Sequence, residues 1–385
     1  MLFAPLLTPG KLSLARGCAS LAAPEAARLG TRAALIHSAS VAPELRDTLL
    51  TDLRAHGLAV TTLPSSGEPD LPGLMAAREA LAPFAPDVIL ALGGGATIDL
   101  AKALAALLPA SGDLIRHFEV VGAALPLDAP PLPLIALPTT AGTGAEATKN
   151  AVIAIPSHRV KVSLRDDRMM PAVALVDPAL TDHCPRAVTL ASGLDALTQV
   201  IEPYLCTRAT PFTDALCRDA IPAALPALMR LMQAEDRVED RAARDTMARV
   251  SLFGGLALAN AGLGAVHGFA GPLGGQLGAP HGVICGRLLP EVLAENRAAL
   301  PAGHPALARF GEVERWLATA LEASDGIEAL RNWIDAQALP RLGALGLTEG
   351  GFATALTAAR QASSMKANPV TLSDAQLAAI LARAL

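Results

Sequence analysis

Asp87-Val-Ile-Leu-Ala-Leu-Gly-Gly-Gly-Ala-Thr-Ile-Asp-Leu-Ala-Lys102 joins a short apolar run to an alanine-rich stretch through three consecutive glycines. An apolar run of this length, bounded by breakers, reads as a buried strand, and the stretch after the glycines reads as a helix. Strand, glycine turn and helix start together place bare backbone N–H groups at a positive helix end, a setting that suits a pyrophosphate. The residues concerned are Gly94, Gly95, Ala96 and, one turn on, Asp99. The pattern is neither Gly-x-Gly-x-x-Gly nor the Walker sequence, and a glycine turn alone is more often merely structural.

Working outward, short apolar runs recur at residues 32–37, 58–63, 132–137, 151–155 and 173–176, with helical stretches such as 42–55 and 74–81 between several of them. This alternation predicts a doubly wound α/β sheet. Asp177-Pro178 ends the last strand. From about Leu180 the patterns are helical, including 213–232, 241–260, 307–323 and 373–385. The expected organisation is an α/β domain over residues 1–178 and an all-helical domain over 179–385.

Composition agrees with a folded enzyme. The 385 residues suggest two or three ordinary domains, and 52% hydrophobic residues can fill a large core. A formal charge of −5 without a sustained basic run gives no nucleic-acid surface. The five cysteines, Cys18, Cys184, Cys206, Cys217 and Cys285, are scattered and lack a Cys-x-x-Cys pair, as expected of reduced thiols in a cytoplasmic protein. Met1–Gly10 is interrupted by prolines and lacks the charged start of a signal peptide, and no apolar run approaches the roughly twenty residues needed to span a bilayer.

Two further stretches carry chemistry. Pro138-Thr139-Thr140-Ala-Gly-Thr143-Gly-Ala-Glu146-Ala-Thr148 follows an apolar run and reads as a hydroxyl-rich loop where glycines permit close approach of a ribose or phosphate, although alone it would be an ordinary polar loop. Around Asp195, the apolar residues Leu190, Leu194, Leu197 and Ile201 mark a helix, with Asp195, Gln199 and Glu202 in a polar row on another face. His267 and His281 are separated by Gly271, Pro272, Gly274, Gly275, Gly278 and Pro280, too many breakers for one continuous helix, so they belong near the ends of successive elements. From spacing alone these are a solvated face and two unrelated histidines, because no short ligand motif is present.

The segments Gly193-Leu-Asp-Ala-Leu-Thr-Gln-Val-Ile-Glu202, Gly262-Leu-Gly-Ala-Val-His-Gly268 and Pro280-His-Gly-Val283 resemble the metal-binding segments of the iron-containing (group III) alcohol dehydrogenases. The resemblance covers nearly the whole chain. It implies the dehydroquinate synthase-like architecture, with an α/β dinucleotide-binding domain followed by an all-α domain. It also implies a metal set of Asp195, Gln199, His267 and His281, with Gln199 standing where the family has a histidine. An amide oxygen is a weaker donor to Fe2+ or Zn2+ than an imidazole, so affinity should fall. The glycine turn is similar to the family's Gly-Gly-Gly-Ser pattern with Ala96 for Ser, and the threonine loop to its Pro-Thr-Thr pattern with Ala145 for Ser. The resemblance assigns NAD(P) to Gly94, Gly95, Ala96, Asp99, Thr139, Thr140, Thr143, Asn150 and Lys161.

The implied activity is hydride transfer between nicotinamide and a small alcohol or carbonyl compound, with metal assistance, in a homo-oligomer. His267, His281 and Gln199 are the candidate catalytic groups. A maleylacetate-reductase-like enzyme would polarise its carbonyl with those same three side chains and no metal, a reading that Asp195 disfavours because a carboxylate beside a developing alkoxide needs a cation. A catalytically idle nucleotide-binding protein is the third alternative. Where NAD-preferring members carry an Asp after the first strand of the nucleotide fold, this chain has Ala39 between Ser38 and Ser40. Loss of the repulsive carboxylate predicts tolerance of a 2′-phosphate at Ser38. Gly271 stands where many members carry another histidine.

Overall fold

Val88–Gly93 and Leu134–Pro138 are buried at every position, because each lies inside a parallel sheet with helices on both faces. The computed structural model describes residues 5–158, 160–233 and 240–385, so the first four residues of the Met1–Gly10 reading lie outside them. The strands are β1 (Lys11–Leu14), β2 (Arg32–Ser38), β3 (Ala59–Ser65), β4 (Val88–Gly93), β5 (Leu134–Pro138), β6 (Asn150–Ile155), β7 (Val160–Arg165) and β8 (Val173–Val176). Six of them form one sheet in the order β1-β8-β5-β4-β2-β3, with every pairing parallel.

The sheet's two faces follow from the alternation of side chains along each strand. Ala34, Ile36, Ile89, Ala91, Leu134 and Ala136 share a core with α3 (Leu71–Leu81) and α4 (Gly95–Leu107). The intervening Ala33, Leu35, Leu90, Ile135 and Leu137 pack with α1 (Ala22–Leu29) and α2 (Pro43–Ala55). Because β2 has β3 on one side and β4 on the other, strand order reverses between β2 and β4. Ligands of such sheets bind beyond the carboxyl ends at this reversal. Those ends are Ser38 and Gly93, the latter in register with Pro138 of β5.

Residues 151–155 do not join this sheet as expected. They belong to β6, which pairs antiparallel with β7 in a separate hairpin. Its burial alternates, with Val152 exposed between buried Ala151 and Ile153, the pattern of a strand covered on one face only.

The chain divides into two compact units, Met1–Cys184 and Pro185–Leu385. The division falls after Cys184 rather than after Pro178 because the intervening turn is bound back to the first unit. Asp182 pairs with both terminal nitrogens of Arg16, at 2.8 and 3.0 Å, and Asp177 accepts from the Ala19 N–H.

Among its described residues the second unit has helices as its regular elements: α5 (Arg186–Leu205), α6 (Pro211–Gln233), α7 (Arg241–Asn260), α8 (Ala265–Leu277), α9 (His281–Ala299), α10 (Ala306–Ala320), α11 (Gly326–Ala336), α12 (Phe352–Gln361) and α13 (Asp374–Ala384), joined by turns and irregular segments. Pro272, taken above as a breaker, lies inside α8; the break comes at Gly278, whose φ of 63° terminates the helix in the left-handed region. Among the described residues no single helix is long and apolar enough to cross a membrane.

Candidate functional site

Asp195 sits on α5, His267 is the third residue of α8 and His281 the first of α9. Two glycines allow α9 to approach α5 closely. A Cβ on Gly282 would stand 2.2 Å from the Ala191 carbonyl oxygen, and one on Gly286 would stand 2.5 Å from Leu194 Cδ1. This contact carries His281 to Asp195. Asp195 Oδ1 lies 3.3 Å from His267 Nε2 and 3.7 Å from His281 Nε2, yet it is buried and accepts no hydrogen bond. The two imidazole rings are 5.3 Å apart between centroids.

Glu202, two turns along α5 from Asp195, aims His267. Its Oε2 accepts from His267 Nδ1 at 2.7 Å, which leaves Nε2 directed at Asp195. Glu202 also accepts from the Val266 N–H at 2.7 Å and so caps α8. Gly264 makes room for this, since a Cβ there would lie 2.8 Å from Glu202 Oε1. A ligating histidine whose other nitrogen donates to a carboxylate is the usual outer partner arrangement of a metal site.

Cys285, one turn after His281 on α9, completes the cluster. Its Sγ stands 3.5 Å from His281 Nε2 and 3.9 Å from His267 Nε2. Asp195, His267, His281 and Cys285 each offer one donor atom, all within 4.8 Å of one another. Gln199 is buried one turn from Asp195, with its side chain against Gly254 of α7, whose Cβ would meet Gln199 Nε2 at 3.4 Å. The i, i+4 spacing of His281 and Cys285 was the available signal for the thiol.

The electrostatics of this cluster depend on its burial. Burial opposes ionisation of Asp195, but His281 and His267 outweigh it and hold the carboxyl below the ordinary range. Burial likewise opposes an imidazolium at His267, and Cys285, Asp195 and Glu202 overcome it, so the pKa stands well above the usual histidine value. Burial pushes the Cys285 thiol up to about 12. A divalent cation fits here: the donors are one carboxylate, two imidazoles and one thiol, and one buried carboxylate oxygen accepts no hydrogen bond.

In the first unit, the glycine turn meets the threonine loop. Gly94 is the N-cap of α4, which has no side-chain cap, so the first-turn N–H groups, including that of Ala96, face outward from the helix end. A Cβ on Gly95 would lie 2.5 Å from Thr143 Oγ1, and one on Gly94 would lie 3.1 Å from Thr140 Oγ1. The Thr139 N–H donates to the Gly93 carbonyl at 3.0 Å. Side chains at the glycines would fill this cradle, which suits an extended phosphate chain.

Asp99 Oδ2 accepts from the Val152 N–H at 3.0 Å and ties α4 to the β6–β7 hairpin, which carries Asn150 and Lys161. Lys161 is ion-paired with Glu68. Lys102, quoted above only as part of a motif, is buried and donates to Thr148 Oγ1 at 2.7 Å and the Asn150 carbonyl at 3.0 Å. Burial lowers its pKa to about 8 and raises that of Glu146 to about 7. Ser38, at the end of β2, shares a 2.8 Å hydrogen bond with the Ser40 hydroxyl, and Ala39 between them is exposed.

Residues 9–178 match the iron-containing alcohol dehydrogenase family, and residues 189–385 match the C-terminal domain of the Fe-containing alcohol dehydrogenases. The chain belongs to the iron-containing alcohol dehydrogenase family. It is 34% identical over 304 residues to the NAD-dependent methanol dehydrogenase of Bacillus methanolicus, covering 78% of this chain and 76% of that one. Against the 1,3-propanediol dehydrogenase of Klebsiella pneumoniae it is 34% identical over 300 residues, 77% and 76% of the two chains. A crystal structure of 1,3-propanediol oxidoreductase superposes with a TM-score of 0.86 at 29% identity, covering 100% of both chains. This iron-containing alcohol dehydrogenase is therefore an oxidoreductase acting on CH–OH groups.

Proposed function

We propose that this dehydrogenase interconverts a small primary alcohol and its aldehyde, using NAD(P) at the α4 turn and a divalent cation at Asp195, His267 and His281. The observation that carries the metal half is the buried Asp195 Oδ1, which has no hydrogen-bond donor and faces two imidazole nitrogens. The names of the methanol and propanediol relatives support a small primary alcohol. When bound, the nicotinamide carries the hydride and the cation polarises the substrate oxygen.

The chain's own residues do the positioning. Glu202 fixes the His267 ring, so Nε2 is presented without a rotameric search once its proton has left. His281, with a third of its side chain exposed, is the member of the set nearest solvent. In the first unit the uncapped N–H groups at Gly95 and Ala96 bind pyrophosphate oxygens, with Thr139, Thr140 and Thr143 lining the turn. Asp99 holds the hairpin that brings Asn150 and Lys161 to the cofactor. Initial rates with methanol, ethanol and 1,3-propanediol, each with NAD+ and NADP+, test this function; no turnover of any would overturn it.

Cofactor preference follows from the end of β2. No carboxylate stands at Ala39 to repel a 2′-phosphate. The Ser38 and Ser40 hydroxyls spend one hydrogen on each other, which leaves one to donate to the phosphate. The Ala39 N–H is also taken, donating to the Ser65 carbonyl at 2.8 Å. The expected result is dual use or a mild NADP preference, and Ala39→Asp should move the preference toward NAD. A wild-type preference for NADH on the order of a hundredfold in kcat/KM, about 2.7 kcal/mol, would contradict it.

A further inference from the structure

We infer that Cys285 supplies the fourth ligand of the metal site, as a thiolate, in the place the Asp195–Gln199 spacing assigns to Gln199, giving an Asp-His-His-Cys set suited to Zn2+. The inference rests on the metal-binding reading proposed above and adds to it the identity of one donor. Its basis is the size of the cluster. A tetrahedral zinc ion with bonds of roughly 2.0–2.3 Å holds its donors about 3.3–3.8 Å apart. The separations here are 3.3 Å from Asp195 to His267, 3.7 Å from Asp195 to His281, 3.5 Å from Cys285 to His281 and 3.9 Å from Cys285 to His267. Four edges of a tetrahedron are thus already near the length that the ion would impose, with Cys285 at one vertex.

The elements that set these distances are rigid. Cys285 is one turn from His281 on α9, and Gly282 and Gly286 press that part of the helix onto α5, where Asp195 projects. Cys285 is wholly buried beside the carboxylate oxygen that has no hydrogen-bond donor. Gln199 has its amide nitrogen against Gly254 of α7. Donor chemistry points the same way, because a thiolate is a far stronger ligand for a borderline-soft cation than an amide oxygen. Thiolate and carboxylate together also neutralise the ion's two charges, which an amide cannot do. On binding, the S–H bond breaks, its proton leaves to solvent and the Sγ–metal bond forms; no electron is transferred.

Zinc K-edge X-ray absorption on the full-length protein, stripped and reloaded with Zn2+ alone, tests this independently of turnover. The expected spectrum has one sulfur scatterer at about 2.3 Å and nitrogen or oxygen for the rest. Cys285→Ser should remove the sulfur and weaken Zn2+ binding by at least roughly a hundredfold, the upper end of what losing an outer partner costs. Gln199→Ala should keep the sulfur and nearly all the affinity. Should the serine variant not fold, the wild-type spectrum and Gln199→Ala still decide. A shell of nitrogen and oxygen alone overturns the role of Cys285 and leaves the metal site standing. Failure of the wild type to take up zinc overturns the metal reading itself and the inference with it.

Discussion

Asp195→Ala is expected to lower kcat/KM for alcohol oxidation by roughly a thousandfold, about 4 kcal/mol of transition-state stabilisation, which is the order of effect of losing a Lewis-acid cation. The same substitution should leave the metal-free fold within about 1 kcal/mol of wild type. Asp195 Oδ1 accepts no hydrogen bond, and the substitution takes a buried carboxylate out of a desolvated position. The opposing term is the loss of a negative charge beside His267, which Glu202 still balances. Function and stability therefore separate at this residue, as expected where a group is held for a ligand rather than for the fold. Thermal melts of the stripped proteins, with zinc binding and steady-state rates on the same preparations, check both halves. An unchanged kcat/KM would sink the assignment of Asp195.

The second large effect is at the nucleotide turn. Gly95→Val should raise the dissociation constant for NAD(P)H by two orders of magnitude or more, about 2.7 kcal/mol, and leave zinc uptake by the second unit unchanged. A Cβ at Gly95 would lie 2.5 Å from Thr143 Oγ1 and 2.8 Å from Thr143 Cγ2. The threonine must turn away, and the added methyl groups then occupy the space above the first turn of α4, where uncapped N–H groups meet phosphate oxygens. The block is therefore a coupled one, with the loop displaced as well as the cofactor. Fluorescence titration with NADH and NADPH measures it, and an unchanged affinity would place the nucleotide elsewhere.

Much of this was legible in residues whose environment is local or uniform. β4 and β5 are buried on both faces, so their apolar runs are unbroken and stand out. β1 and β7 do not: Lys11-Leu-Ser-Leu14 is a mostly exposed edge strand, and β7 alternates polar with apolar residues against a single neighbour. The helices α11 and α12 were not among the stretches named, although α11 buries Ile327, Leu330 and Ile334 at helical spacing and so carried a readable pattern. The position of Gln199 was informative only through resemblance, because nothing in its spacing distinguishes a ligand from a buried amide. Glu202 was visible in the polar row of α5, but its hold on His267 depends on where α8 begins against α5. Cys285 was set aside with the other thiols although it lies at i+4 from His281; what brings it to Asp195 and His267 is a helix contact, set by Gly282 and Gly286, that this spacing does not encode.

The most direct test is a metal titration of the stripped dehydrogenase, following alcohol-dependent reduction of NAD(P)+ against zinc or ferrous ion bound per chain. The expected outcome is turnover that starts near zero, rises in proportion to occupancy and levels off at one ion per chain. Full turnover in protein shown by elemental analysis to be metal-free would contradict this, and would make His267, His281 and Gln199 the groups that polarise the carbonyl, as in a maleylacetate-reductase-like enzyme.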